Sequence, residues 1–405
     1  MRRLLAGAAL AASVASCRGR APGIGDAPAV RATVDSLIPL VEKAVGLTFK
    51  RPPRFEMRTK QQVQEYLRIK LEQEFPAAKM AGVEAAYRLL DLLPDTVDIK
   101  SLLLPLYSEQ VAGYYDPDST TLYAVEGAKG DQLRLVLAHE LVHALQHERL
   151  PLETMLKDVT NSDRLAASQA VLEGHATVAM LGVVMPNQEV LADPNFWGAY
   201  REQVKSAQSS MPVFRKAPLI LREGLIFPYL AGAEFMRWWA IQGGDHGPLP
   251  TREQLPQSTE QILHPDRYLA NDRPVDVQFA EPKDADVLYE NTMGEFELQI
   301  WAAQMRNGGE VLTDLPLGWG GDRFRVYRTS AGPALVLYTV WDDATAARRF
   351  ANLTAARFVK RPRPGYRTTA ELLPLAARPT VRIVRAPEAW TRWSSPPKPA
   401  SERRN

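Results

Sequence analysis

Two histidines four residues apart, His139 and His143, with Glu140 directly after the first, are the residues best placed to do chemistry. On an α-helix, side chains four apart lie on one face, one turn above the other. Two imidazoles so placed can grip one metal ion. Glu140 is rotated about 100° from His139, so it stands beside that ion rather than on it. The pattern is H-E-x-x-H, two zinc ligands and a carboxylate that can move a proton. Only six histidines occur in 405 residues, so composition alone rarely produces this spacing. The bland alternative is a core helix that happens to carry two histidines.

A helix must position them, and the sequence supplies one. Leu133, Val136, Leu137 and Leu145 give the segment apolar faces for burial, Asp131 offers an N-cap, and Pro151 lies just past the end. Two histidines leave a zinc site short of a third protein ligand. Asn161-Ser162-Asp163 offers a cap for a second long helix running to about Met185, and that helix carries Glu173-Gly174-His175-Ala176. Glu173 and His175 both qualify as ligands by type. Two residues apart, they point about 200° from each other, so they cannot both reach one ion. Glu173 shares its face with Ala166, Ala170 and Ala176, small residues that permit close helix approach; His175 shares its face with Val171, Leu172 and Val178. Glu173 is therefore the expected ligand and His175 an interior histidine of the outer shell.

Just before the metal helix, residues 111–125 read as a β-hairpin, two β-prone runs around an Asp-Pro-Asp-Ser turn. An edge strand there could pair with an extended peptide by strand addition; the alternative is a hairpin that only covers the core.

H-E-x-x-H on one helix, with a glutamate on a following helix, resembles the gluzincin metallopeptidases, the broad group that includes thermolysin. The Glu173-Gly174-His175-Ala176 stretch and the run Ser258-Thr259-Glu260-Gln261-Ile262-Leu263-His264-Pro265 resemble segments of bacterial gluzincin-like proteins. The similarity covers roughly residues 112–268. It implies a zincin-like core, one Zn²⁺ held by His139, His143 and Glu173, and peptide-bond hydrolysis by a zinc-bound water activated by Glu140. Thr177 stands one turn after Glu173, where the thermolysin pattern has an aspartate, so the carboxylate that orients a metal histidine is open; Asp163 and Asp158 are candidates. A peptidase also needs a donor for the oxyanion. His264, Tyr268 and Tyr229 are the candidates, in that order. His246 and His147 are expected to be solvated.

The amino terminus has a positive start, Met1-Arg2-Arg3, and an apolar stretch over 4–13 too short to span a bilayer. Val14-Ala15-Ser16-Cys17 resembles the lipobox of bacterial lipoproteins, which implies a lipidated Cys17 and a cell-envelope location, periplasmic or on the outer membrane. Cys17 is the only cysteine, so no intrachain disulfide forms. No later stretch reads as membrane-spanning; the best candidate, 217–241, is broken by Arg222, Glu223, Pro228, Glu234 and Arg237. The net charge of +2, with both signs well represented, gives no pointer to nucleic acid. The expected partners are a peptide or protein substrate and, through the lipid, a membrane.

The predicted class is α+β and predominantly helical, with a zincin-like core, a small β-hairpin or edge strand, and a C-terminal α+β lobe. The predicted organisation is a lipoprotein signal peptide over 1–16, a flexible linker over 17–29, and a helical subdomain over 30–110. The metallopeptidase core follows over 111–275, then a small α+β lobe over 276–393 and a disordered tail over 394–405. Rival functions are a zinc-containing binding scaffold without turnover and a metal-free structural lipoprotein. Within the enzyme class, a peptidoglycan crosslink is an alternative substrate.

Overall fold

The computed structural model describes residues 27–128, 130–150, 152, 161–185, 192–242, 249–306, 318–375 and 378–400. The expected signal peptide, Cys17, Asp158 and His246 lie outside them. In chain order the elements are α1 (Ala27–Val45), β1 (Arg54–Arg58), α2 (Lys60–Glu74), α3 (Ala77–Leu89), α4 (Ile99–Gln110), β2 (Gly113–Asp116) and β3 (Thr121–Val125). Next come α5 (Gly130–Arg149), α6 (Ser162–Val184), α7 (Pro194–Ser210), α8 (Pro212–Lys216), α9 (Leu219–Gln242), α10 (Thr259–Leu263) and α11 (Pro265–Leu269). The chain ends with β4 (Val287–Asn291), α12 (Gly294–Met305), β5 (Trp319–Tyr327), β6 (Ala334–Trp341), α13 (Ala344–Lys360), β7 (Tyr366–Leu375) and β8 (Arg378–Pro387). The class is α+β, helix-rich as expected.

Local chemistry sets most of these boundaries. Thr59 closes a capping box with Gln62 at the start of α2, Asn161 caps α6 by accepting from the Arg164 amide, and Asp343 accepts from two amides at the start of α13. The helix that carries His139 and His143 is α5. It is buried at 133 and throughout 135–146, apolar on all sides except where it turns polar groups inward. It begins at Gly130, which places Asp131 in its first turn rather than at the cap. It lies against α1, α6 and the β2–β3 hairpin.

A small sheet has the order β1-β3-β2, with β1 parallel and β2 antiparallel to β3. The hairpin is as expected, and β2 is its edge. The second sheet has the order β4-β5-β6-β8-β7 and is antiparallel throughout. Trp301, Trp319 and Trp341 are fully buried between it and the helices α12 and α13.

Several expectations need correction. The apolar core ignores the boundaries drawn at 110 and 275. One cluster runs from Ala86 in α3 through Phe227 in α9 to Ile383 in β8, and Phe227 stacks on Phe296 of α12 at 4.0 Å. The helix α9 begins at Leu219 and holds Pro228 in its interior. Gly318 leads into β5, and Gly320 and Gly321 form part of it. Residues 394–400 are not a loose tail. Tyr338 donates to the Pro397 carbonyl at 2.8 Å, and the Ala280 and Ala400 amides donate to Lys398 and Gln278 at 3.0 and 2.7 Å.

Candidate metal centre

α5 presents His139 and His143 one turn apart, and α6 brings Glu173 onto both. His139 Nε2 and His143 Nε2 are 3.0 Å apart, and Glu173 Oε2 lies 3.1 and 3.2 Å from them. Three donor atoms thus form a nearly equilateral triangle. In a tetrahedral zinc site with bonds of about 2.0–2.1 Å, ligand atoms stand roughly 3.3–3.4 Å apart. The protein therefore fits one zinc ion after adjustments of a few tenths of an ångström. The His139–Glu140–His143 group also has ligand atoms within 4.8 Å of one another. Glu140, however, is already engaged, because its Oε2 accepts the Tyr115 backbone amide of β2 at 2.7 Å. Glu173 is the better third ligand, and Glu140 stands at its side.

An amide fixes the chemistry of His143. Gln146 Nε2 donates to the Leu172 carbonyl at 3.0 Å and lies 3.0 Å from His175 Nδ1. That leaves Gln146 Oε1 facing His143 Nδ1 at 2.9 Å. Since Oε1 only accepts, Nδ1 carries the proton and Nε2 turns a lone pair toward the triangle, as a metal ligand must. His175 sits behind Gln146, not on the metal position, in keeping with its expected outer-shell place. The expected orienting carboxylate is replaced by this glutamine. Asp163 takes its hydrogen bonds from the Thr259 amide and hydroxyl, at the far end of α6. The spacing from His143 to Gln146 is one helical turn, a signal that a search for carboxylates passes over.

The electrostatics follow from burial. Burial lowers His139 and pushes His175 down to about 3. Burial also opposes charge on His143 and Glu173, yet their mutual attraction wins. His143 is raised to about 9, and Glu173 is held at about 2. A proton and a divalent ion thus compete for the same buried pair.

Of the three oxyanion candidates, the last in expected order is the one at the site. The Tyr229 ring lies 5.8 Å from that of His139, and its hydroxyl hydrogen-bonds Glu173; burial and the nearby Glu173 and Glu140 carboxylates raise it well above the usual phenol range. It is placed there by a close crossing of α6 and α9. A Cβ on Gly174 would stand 2.1 Å from the Gly232 carbonyl oxygen, and a Cβ on Gly232 would stand 2.1 Å from that of Ala170. Only glycine allows this approach. The small residues of α6 expected to face α5 include Ala170, which packs on α9 instead.

His264 and Tyr268 have other partners. His264 Nε2 pairs with Glu295 at 3.0 Å, and Tyr268 donates to the Gln254 carbonyl at 2.8 Å and packs edge-on against Phe235, Trp238 and Trp239. Glu295 belongs with Asp163 and Asp322 to a buried acidic group at the start of α12. There Asp322 accepts the Met293 and Gly294 amides at 2.7 and 2.8 Å. His147, expected to be solvated, lies 2.9 Å from the Tyr115 hydroxyl.

The expected strand-addition edge is partly spent. The Val125 amide donates to the Ala112 carbonyl, so Ala112 and Tyr114 face β3, while Gly113 and Tyr115 face outward. The outward Tyr115 amide is the one that binds Glu140, and all four residues of β2 are buried.

Residues 285–391 match a family model described as a domain of unknown function, DUF8575. That segment spans β4 to β8 and includes neither α5 nor α6. No curated protein matches the chain. A crystal structure from Chloroflexus aurantiacus, described provisionally as that of a hydrolase with a novel fold, is similar at a TM-score of 0.41 and 20% identity. The match covers 64% of this chain and 92% of that one. At that level the likeness decides nothing about the site.

Proposed function

We propose that the protein is a zinc-dependent hydrolase of peptide bonds, of the gluzincin type, with His139, His143 and Glu173 as ligands and Glu140 as general base. The observation that supports this best is the convergence of two Nε2 atoms and one carboxylate oxygen within 3.0–3.2 Å, with a second carboxylate alongside. Bound zinc would supply a Lewis acid that polarises a carbonyl and acidifies water. The Glu140 carboxylate would take the proton of the attacking water and hand it to the leaving amine. The Tyr115 amide holds that carboxylate in place through Oε2, and Tyr229 holds Glu173. Gln146 keeps the His143 proton on Nδ1, away from the ligand position. Substrates are peptides or proteins.

Metal analysis of the purified protein should give one zinc per chain. Glu140→Gln should keep that zinc and lose cleavage by roughly 10²- to 10⁴-fold, the range for removing a general base. A Glu140→Gln protein that keeps its metal and cleaves as fast as the parent would take Glu140 out of the mechanism. The engagement of Glu140 and the buried strand edge favour a second reading, a zinc-containing scaffold without turnover. Metal content with no cleavage across a broad peptide library would select it.

We also propose that Cys17 carries a lipid anchor and that the protein works at the bacterial cell envelope. Among the described residues no helix is long and apolar enough to cross a membrane, so attachment would rest on the lipid. Intact mass of the mature amino terminus tests this, and an unmodified Cys17 or an uncleaved Met1 would refute it.

A further inference from the structure

We propose that a cleft between the end of α3 and the end of α13 binds a phosphate-bearing dianion. The cleft has a volume of about 480 Å³, and its charged lining is Arg88, Asp91, Asp95, Arg357, Arg361 and Arg363. A cavity of about 500 Å³ shares Arg357 and Arg361 with it and adds Arg306 and Lys360.

The arginines are not equivalent. Arg88 pairs with Glu84 at 2.9 Å and donates to the Val97 carbonyl at 2.8 Å, and Arg363 pairs with Asp95 at 3.0 Å. Asp91 is committed through Oδ1 to Arg385 at 2.9 Å. Arg357 is different. It is only 6% exposed and no carboxylate pairs with it among the described residues; its Nε, like that of Arg88, is buried without a hydrogen-bond partner. Burial first, then the charges of Arg361 and Arg385, depress it from the ordinary arginine range against the pull of Asp91. A guanidinium largely withdrawn from water and held in no ion pair is costly, and proteins rarely keep one unless something pairs with it.

The ordinary explanation is the helix end. Arg357, Lys360 and Arg361 lie at the C-terminus of α13, where the helix dipole favours cations. That accounts for Lys360 and Arg361, which are exposed. It does not account for Arg357, because the dipole offsets only a fraction of what burial of an unpaired charge costs. The charge count sets the ligand class. Four arginines line the cleft against two aspartates, a surplus of two positive charges. A phosphate monoester carries that charge and takes paired donors from planar guanidinium forks, whereas one carboxylate would leave a cation unmatched. The volume is that of a small-molecule site, more than inorganic phosphate needs, so the phosphate is borne on a small organic body or a lipid headgroup.

The test uses the full chain at constant ionic strength. Inorganic phosphate is titrated by calorimetry, and binding is measured to vesicles of phosphatidylcholine alone or with roughly a fifth phosphatidic acid. Phosphate should bind saturably and raise the melting temperature. Arg357→Gln should weaken binding by about tenfold or more, as loss of a charge-assisted pair does, and Arg361→Gln, at an exposed position, should weaken it less. In phosphate-free buffer Arg357→Gln should melt no lower than the parent, because it removes an unpaired buried charge. Phosphate binding without vesicle binding identifies a soluble phosphate compound. Vesicle binding that needs phosphatidic acid, is competed by phosphate and is weakened in both variants, more in Arg357→Gln, identifies a headgroup. No saturable binding of either probe overturns the proposal. So does binding that neither variant weakens, and so does an Arg357→Gln protein destabilised equally with and without phosphate.

Discussion

Gln146 shows how much one neutral side chain can settle. Its amide is read in one direction only, because the Leu172 carbonyl must receive the Nε2 protons, and that direction reaches through His143 to the metal position. Replacing Gln146 with Leu would release the His143 tautomer and take from His175 Nδ1 its Gln146 donor, while the Leu172 carbonyl, inside α6, keeps its helical partner. Metal affinity should fall by roughly 10- to 100-fold, as for other outer partners of metal ligands, measured by competition with a chelator. Stability should fall by about 1–3 kcal/mol per group left unsatisfied. Unchanged metal affinity would show that His143 is oriented by something else. At this scale the sequence was most informative where chemistry has a fixed spacing. His139, Glu140 and His143 declare themselves on one helix, and the angle between Glu173 and His175 separates the residue that meets both histidines from the one that faces Gln146. The choice among His264, Tyr268 and Tyr229 was not legible. A phenol or imidazole carries no sign of which helix it packs against, and His264 is claimed by Glu295.

At the scale of elements, the metal position depends on how closely α6 and α9 cross. Gly174 follows Glu173 directly, and Gly232 lies three residues beyond Tyr229, so the contact that brings the helices together also seats both polar side chains. Gly174→Ala would press a methyl into the Gly232 carbonyl and push the helices apart. The expected loss is about 3 kcal/mol, at the upper end for overpacking a rigid contact, and with it much of the metal affinity. Equilibrium denaturation and metal analysis of the variant check both. A capped helix such as α6 was legible nearly to the residue. The strand β1 was not, because Arg-Phe-Glu-Met-Arg has little β character and exists by pairing with β3, over sixty residues on. In α9, burial of Leu219, Ile220, Leu225 and Ile226 outweighs the local penalty of a proline inside a helix.

Across the molecule, buried carboxyls outside the metal centre give stability a definite pH dependence. Burial raises Asp163 to about 7, Asp322 to about 6, Glu297 to about 8 and Glu260 to about 9, with neighbouring carboxylates adding to each except Asp322. An unfolded carboxyl titrates near ~4. Between that pH and the folded values, the native state holds more protons than the unfolded one, so stability falls as pH rises. His264, raised chiefly by its hydrogen bond to Glu295 against burial, works in the same direction, because its charge is lost as pH rises. Glu173 works in the opposite direction, but only as pH drops from ~4.5 toward 2. Metal-free protein should therefore resist urea better at pH 6 than at pH 8.5. Asp163→Asn, which keeps an acceptor for Thr259, should narrow the difference and stabilise the protein at pH 8.5 on the order of 2 kcal/mol. A flat profile would mean that these carboxyls are ionised and compensated in the fold.

Arg385 is fully buried in β8, yet it donates to the Leu89 carbonyl nearly three hundred residues earlier. The segment that a family model delimits, 285–391, therefore ends in a strand whose charged centre is answered by a backbone oxygen outside it. Gly82 of α3 also fits so tightly over Tyr289 of β4 that an added Cβ would stand 2.7 Å from the tyrosine Cβ. A shuttle of this segment onto another host would carry an open apolar flank and an orphaned guanidinium. Recombination could move it intact only where the recipient brought a helix to take the place of α3.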